Sequence, residues 1–367
     1  MIFRTRHWLS LSVFVLAGLW FSSGYGPLAL RAGSDEGSGS DVWTSEQKSF
    51  VKDFDLNRMG KPESLLSVLT KAPHPMGSSR QKEIARFLLD SLRKAGVGSR
   101  VQGFQSRLPK RQNGHVVLDE DHRPEMESVQ GLNVMGWIEK PGASCTVMLA
   151  SHYDTKDIPG INYLGANDGA SSTIGLLNLA GYVHEHRRQT SLWSCHLVFV
   201  WFDGEESVLP DWDDWNRQYG LKEPDHTKGS RYLASRMKEC GKKNYCLNEP
   251  FLPEPVTSAP VVRFILMDLT GTESLRITRD LYSDPGLKKA MAGAARFLSF
   301  KNLFGREQWI QDDHQPFVRL GIPSLNIIDF EDLRHWHQDT DQASHVNFTS
   351  VKKAAQIALA LSLLPAP

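Results

Sequence analysis

The chain has 367 residues, with 42 basic and 42 acidic side chains and a formal net charge of zero. Hydrophobic residues make up 40% of it and charged residues 23%, which is the composition of a soluble globular protein with a substantial core. The balanced charge argues against a nucleic-acid or anionic-membrane partner, because such binding is driven largely by a basic surface.

The first segment, residues 1–31, has the order of a targeting sequence. Arg4 and Arg6 precede an uncharged run over 8–21, and small residues follow at 22–24. This order predicts a signal peptide, with an uncleaved N-terminal anchor as the alternative because no clean cleavage site follows. We therefore expect an exported protein, secreted or periplasmic, that contacts a membrane only through this segment.

After a Gly/Ser-rich stretch at 32–44, which predicts a flexible linker, short apolar runs alternate with helical patterns. The alternation of helices with continuously apolar strands favours a largely parallel sheet that is covered on both faces. We therefore expect a single α/β domain over 45–367, with a central, mostly parallel mixed β-sheet flanked by helices. The patterns predict helices over 81–95, 170–183 and 351–364, and strands over 146–150, 197–202, 261–266 and 324–328.

The four cysteines allow two different interpretations. Cys240 and Cys246 flank a short polar loop and could pair in an oxidising compartment. Cys145 and Cys195 lie in or beside apolar runs, where we expect buried thiols. The absence of a C-x-x-C motif leaves thiolate zinc binding unsupported.

Acidic or histidine residues follow each predicted strand. In open α/β sheets, ligands bind at the carboxyl ends of the strands, so we expect these side chains to meet at one edge. Taken alone, each has a commoner explanation, such as a helix N-cap for Asp168. The residues after strands are His152, Glu205, Glu206, Asp268 and His337, while Asp312 lies ahead of the last strand and Asp168 just before a predicted helix.

Nitrogen and carboxylate ligands without thiolates are typical of a catalytic zinc that keeps one position open. The adjacent pair Glu205 and Glu206 suits such a site, because neighbouring side chains in an extended or turning segment point in different directions. One carboxylate can then bind the metal while the other acts as a general acid or base.

These residues lie in segments that resemble the M28 zinc aminopeptidase superfamily over 73–365, and within it the animal-type glutaminyl cyclases. The resemblance implies a zinc aminopeptidase-like α/β fold. The sequence FDGEE, the doubled acid in QDDH and the pair Trp336-His337 favour the cyclase branch. The segments, in chain order, are ASHYDTK, GANDGASS, VFVWFDGEES, GSRYLA, ILMDLTG, WIQDDHQPFVRLGIPSL and HWHQDTD.

The resemblance implies roles for individual residues. Asp168, Glu206 and His337 would bind zinc, and Glu205 would be the general acid or base. In the cyclases a single zinc is held, and the positions of Asp268 and Asp312 join Glu205 in a hydrogen-bond network. Trp336 would line the pocket for a glutamine side chain, and Trp212 lies near the position of a second pocket tryptophan.

The implied activity is conversion of the N-terminal glutamine of peptides or proteins to pyroglutamate with release of ammonia. The alternative is a dizinc aminopeptidase that hydrolyses N-terminal residues, in which His152 and Asp268 hold a second zinc. A non-catalytic ectodomain that only binds peptides or another protein is a third hypothesis, which would require a broken ligand set. The chain departs from the cyclases in a longer segment after Glu206 and in Asn326, where many cyclases have a histidine.

Overall fold

The computed structural model describes residues 42–112, 115–209, 221 and 223–366. The expected signal peptide or anchor, most of the expected linker and Trp212 lie outside the described residues. In the part of the chain that is described, no helix combines the length and the apolarity needed to cross a bilayer.

Twelve strands and nine α-helices make up the described fold. The strands are β1 (Gly98–Pro109), β2 (Arg111–Gln112), β3 (His115–Val116), β4 (Met126–Ile138), β5 (Thr146–His152), β6 (His196–Phe202), β7 (Lys238–Gly241), β8 (Asn244–Cys246), β9 (Val261–Asp268), β10 (Ile277–Asp280), β11 (Phe304–Gln308) and β12 (Ser324–Ile328). The helices are α1 (Ser45–Lys52), α2 (Pro62–Leu69), α3 (Ser79–Lys94), α4 (Ser172–Glu185), α5 (Lys228–Arg236), α6 (Glu254–Ser258), α7 (Pro285–Phe297), α8 (Gln315–Arg319) and α9 (Phe348–Ser362).

Six of these strands form the central sheet, in the order β1-β4-β6-β5-β9-β12. The pairs β6–β5, β5–β9 and β9–β12 are parallel, and β1–β4 and β4–β6 are antiparallel. Alternate side chains of β5 enter different cores: Val147 and Leu149 pack in one cluster, and Met148 and Ala150 in another. Both faces of the sheet are therefore covered, and the predicted α/β fold is confirmed.

The predicted elements agree with the structure to within a few residues at their ends. The predicted helix over 81–95 is α3, which ends before Gly96, and the positive φ of 82° at Gly96 explains why a glycine stands there. The strand predicted over 324–328 is β12. The long antiparallel pair β1–β4 carries no prediction, because its strands are partly exposed and lack a continuous apolar run.

The prediction of buried thiols at Cys145 and Cys195 is wrong, because these residues form a disulfide. They directly precede β5 and β6, whose first residues Thr146 and His196 are paired in parallel register. Adjacent parallel strands begin side by side, which brings the two Cα atoms to 4.7 Å. Cys240 and Cys246 form a second disulfide, across the β7–β8 hairpin.

We expect the two disulfides to differ in their contributions to stability. The first closes a loop with a sequence separation of 50 residues and the second one of 6. Loop-closure entropy gives about 4 kcal/mol for the first and about 2 kcal/mol for the second. Urea unfolding of the two double Cys→Ala variants measures this difference. An equal loss, or a larger loss for the hairpin bridge, would contradict it.

Candidate active site

The carboxyl ends of the parallel strands carry the acidic cluster. His152 is the last residue of β5, Asp268 is the last residue of β9, and Glu205 and Glu206 lie just beyond β6. The turn after β6 is held by Asp154, whose carboxylate accepts hydrogen bonds from the backbone N–H of Glu205 at 3.1 Å and of Glu206 at 3.2 Å. Asp154 thereby fixes the directions in which the two glutamates leave the sheet.

Asp168 lies in a one-turn segment, Ala166–Ser171, that precedes α4. Its backbone is not helical there, and Ser171 is the N-cap of α4, so the N-cap explanation for Asp168 does not hold. The backbone N–H groups of Asn167 and Asp168 donate to Asp341 at 2.8 and 3.1 Å. The buried hydroxyl of Tyr163 donates to Asp168 Oδ2 at 2.5 Å, which orients the carboxylate.

Asp168, Glu206 and His337 form a group that could hold a metal ion, with one ligand atom from each lying within 4.8 Å of the others. His337 Nε2 is 3.2 Å from Glu206 Oε2 and 3.6 Å from Asp168 Oδ2. Within the described part of the chain, neither Glu206 oxygen takes part in a hydrogen bond of good geometry, and nor does His337 Nε2. Buried polar atoms without partners are costly, and two carboxylates with one imidazole fit zinc well.

His152 belongs to a second group with Asp168 and Asp268. Its Nε2 lies 3.2 Å from Asp168 Oδ1 and 3.1 Å from Asp268 Oδ1. From this position Nε2 could donate one N–H to the two carboxylates or, without its proton, bind a cation that they hold. The structure therefore brings together every residue for which the sequence predicts metal binding.

Burial shifts the pKa values of the acids upward, and neighbouring charges and hydrogen bonds add to this shift or oppose it. It raises the pKa of Glu205 well above its usual value, against the attraction of His152 and with the repulsion of Glu206. Burial also raises the pKa of Asp312 to about 7, with a further contribution from Asp268. Burial acts on Asp168 in the same direction, but His152, His337 and the Tyr163 hydroxyl outweigh it and lower its pKa to about 2.

These side chains open into a cleft of about 300 Å³. Its lining includes Glu205, Asp268, Asp312 and Trp336, all of which the sequence predicts for the site. Trp336 stacks on His337 with ring centroids 3.9 Å apart, so the indole covers one face of the imidazole ring. A wider cavity of about 590 Å³ shares Trp336 with the cleft but includes neither Glu205 nor Glu206 in its lining.

Several residues that hold the site together have no role predicted from the sequence. Asp154, Asp341 and Tyr163 act through hydrogen bonds to the ligand-bearing segments, as described above. Lys156 is buried, donates to Ser207 O at 2.6 Å and lies 3.9 Å from Glu206 Oε2. Asp154 and Asp341 lie within ASHYDTK and HWHQDTD, two of the segments that resemble the M28 superfamily. This position was the sequence signal that could have identified them.

Asn326, one of the departures from the cyclase pattern, also has a structural place. It is buried in β12, and its Nδ2 donates to Asp312 Oδ2 at 2.7 Å. Its own backbone N–H donates to Ser283 Oγ at 3.0 Å. The amide therefore supports Asp312 with one neutral donor.

The family model described as Peptidase family M28 matches residues 133–362. The chain belongs to this family. The match begins in β4 and ends in α9, so it includes the whole acidic cluster and His337. The resemblance to M28 that the sequence motifs indicate is thus confirmed.

Individual relatives narrow the similarity within M28. The glutaminyl-peptide cyclotransferase of Drosophila melanogaster is 25% identical over 297 residues, which cover 78% of this chain and 75% of that protein. The glutaminyl-peptide cyclotransferase of Dictyostelium discoideum is 29% identical over 227 residues, 58% of each chain. The crystal structure of Macrostomum lignano glutaminyl cyclase superposes with a TM-score of 0.61 at 21% identity, covering 87% of this chain and 91% of that one.

We expect Tyr163→Phe to weaken zinc binding by roughly tenfold or more, because hydrogen bonds to ligating side chains typically contribute that much to metal affinity. Chelator competition measures the zinc dissociation constant. Tyr182→Phe is the matched control, since its buried hydroxyl donates to Phe50 O in a different part of the fold. Equal affinities in the two variants would show that the Tyr163 hydroxyl does not support the metal site.

Proposed function

We propose that this protein is a zinc-dependent glutaminyl-peptide cyclotransferase that converts the N-terminal glutamine of peptides to pyroglutamate and releases ammonia. The observation that carries the proposal is the position of Glu205, a buried acid with a raised pKa next to Glu206 in a small cleft. The names of its relatives support this function over the aminopeptidase alternative.

In this proposal Asp168, Glu206 and His337 hold one zinc ion. When bound, the ion supplies Lewis-acid polarisation of the glutamine γ-carbonyl. His152 then keeps its N–H and shares it between Asp168 and Asp268. That proton reduces the repulsion between the two carboxylates.

Glu205 carries the proton transfers. It takes a proton from the neutral α-amine as the amine nitrogen attacks the γ-carbonyl carbon and forms the five-membered ring. It then returns this proton to the departing amide nitrogen, which leaves as ammonia, so that atoms and charge balance. A carboxyl group with a raised pKa suits both steps, because general acid–base catalysis is most efficient when the pKa lies near the working pH.

Asp268 and Asp312 support Glu205 as a set of interacting carboxyl groups. Burial raises the pKa of both, and their mutual repulsion favours one shared proton over two charges. Asn326 anchors Asp312 at one oxygen. Trp336 and the outer cleft would hold the glutamine side chain while these groups act.

We propose export as the setting of this activity. The two disulfides suit an oxidising compartment, which agrees with the signal peptide or anchor expected at 1–31. The substrates would be peptides or proteins with a free N-terminal glutamine.

The direct test is mass spectrometry of a peptide with N-terminal glutamine after incubation with the zinc-loaded protein. We expect a loss of one ammonia with the peptide chain intact. Release of free glutamine, or of the first residue from control peptides, would instead establish an aminopeptidase. That result would also assign His152 to a second metal.

Substitution of the two adjacent glutamates separates chemistry from metal binding. Glu205→Gln should lower kcat by roughly 10²–10⁴-fold, because the amide cannot accept the proton. Its zinc content, measured by elemental analysis, should match that of the native protein. Glu206→Gln should lose zinc and activity together, and the reverse pattern would exchange the two roles. A Glu205→Gln variant with native activity would overturn the mechanism.

A further inference from the structure

Two aromatic side chains stand exposed at the mouth of the active-site cleft. Trp309 is 66% and Tyr282 39% exposed, and both line the cleft. Among the described residues, the other large hydrophobic side chains with comparable exposure are Val42 and Leu118, and neither lines the cleft. Exposed aromatic groups gathered at a binding cleft are characteristic of a recognition surface.

The two rings are in contact with each other. Their centroids are 4.8 Å apart and their planes meet at 64°, an edge-to-face arrangement. They form one aromatic rim, which we define as Tyr282 and Trp309. The rim belongs to the open end of the cleft, because the acids at its floor are no more than 6% exposed.

A buried carboxylate holds the rim in place. The backbone N–H groups of Tyr282 and Ile310 both donate to Asp280 Oδ1, at 3.1 and 3.2 Å. Asp280 Oδ2 accepts from Ser283 Oγ at 2.7 Å and lies 3.1 Å from His314 Nε2. The two segments that carry the rim are thus fixed to one side chain, so little backbone ordering is required when a ligand binds.

The acids at the floor and the rim line one cleft of about 300 Å³, so a peptide that reaches the acids passes the rim. Trp309 precedes Asp312 by three positions, so their Cα atoms lie at most about 10 Å apart. A peptide whose first residue reaches the acids at the floor advances by about 3.5 Å per residue along its chain. The side chain of its second residue is then the next one toward the mouth, where Tyr282 and Trp309 belong to the same cleft lining as the acids.

We propose that Tyr282 and Trp309 form the subsite for the second residue of the peptide substrate, and that this subsite favours a large aromatic side chain. This inference rests on the proposed cyclotransferase function. Ile310, Ile328 and Phe330 line the same cleft, so the surroundings of the rim are largely apolar. A ring packed against the exposed indole gains both apolar burial and an aromatic contact.

The test compares kcat/KM for the amides of Gln-Phe-Ala and Gln-Gly-Ala. We expect a preference of about three- to tenfold for the phenylalanine peptide, the range of one aromatic contact. Trp309→Ala should bring the ratio of the two kcat/KM values to within about twofold, through a higher KM for the phenylalanine peptide. Trp309→Phe should retain most of the preference. Leu118→Ala, which removes an exposed leucine outside the cleft, should leave the ratio unchanged.

Three outcomes would overturn the subsite: no preference in the native protein, an unchanged ratio in Trp309→Ala, or faster turnover of Gln-Lys-Ala than of Gln-Phe-Ala. The last outcome would mean that the indole face selects a cation instead.

Binding of the same peptides to zinc-loaded Glu205→Gln, followed by calorimetry, separates the subsite from the chemistry. If no peptide loses ammonia, the cyclotransferase function fails. Tighter binding of the phenylalanine peptide that is lost in Glu205→Gln/Trp309→Ala would still support the subsite, and equal binding would overturn it.

Discussion

The repulsion among buried carboxylates is the constraint on which the rest of this structure depends. Asp168, Glu205, Glu206, Asp268 and Asp312 are gathered at one edge of the sheet and are almost fully excluded from water. Charges of one sign cannot all persist in such a place, because desolvation and mutual repulsion both disfavour them. Protons, the imidazoles of His152 and His337 and the buried Lys156 can neutralise them, and in the proposed function a zinc ion does so as well.

A second set of buried acids has backbone N–H groups as hydrogen-bond partners. Asp154, Asp341 and Asp280 accept hydrogen bonds from backbone N–H groups. At Asp341 burial outweighs these hydrogen bonds and raises its pKa to about 7. Each of them fixes a loop that carries a functional side chain. In the proposed function the first set of carboxylates performs the chemistry. Asp154 and Asp341 hold members of that set in position, and Asp280 holds the aromatic rim. The left-handed backbone of His337, with φ of 56°, is a further local cost that such a framework can support.

Much of the fold and of the candidate site follows from the sequence, because buried parallel strands are continuously apolar and their ends carry the polar residues. Glu205, Glu206 and Asp268 were predictable in this way. The pairing of Cys145 with Cys195 was not, because it depends on which strands are neighbours, and an apolar run does not specify its neighbour. Tyr163 was missed because its role is a side-chain hydrogen bond to the Asp168 carboxylate. Asp280 was missed because it accepts from the backbone N–H groups of Tyr282 and Ile310. Neither kind of contact leaves a periodic signal.

The single carboxylate of Asp280 has a consequence for how this protein can diverge. It fixes both backbone segments of the aromatic rim, and through His314 it contacts the stretch that also contains Asp312. The backbone that carries the proposed subsite is therefore connected through Asp280 to the segment of the proposed catalytic acid Asp312. Lineages that acquire new peptide preferences should do so by exchanging the outward-facing rings while leaving the loop backbone and its buried acid unaltered.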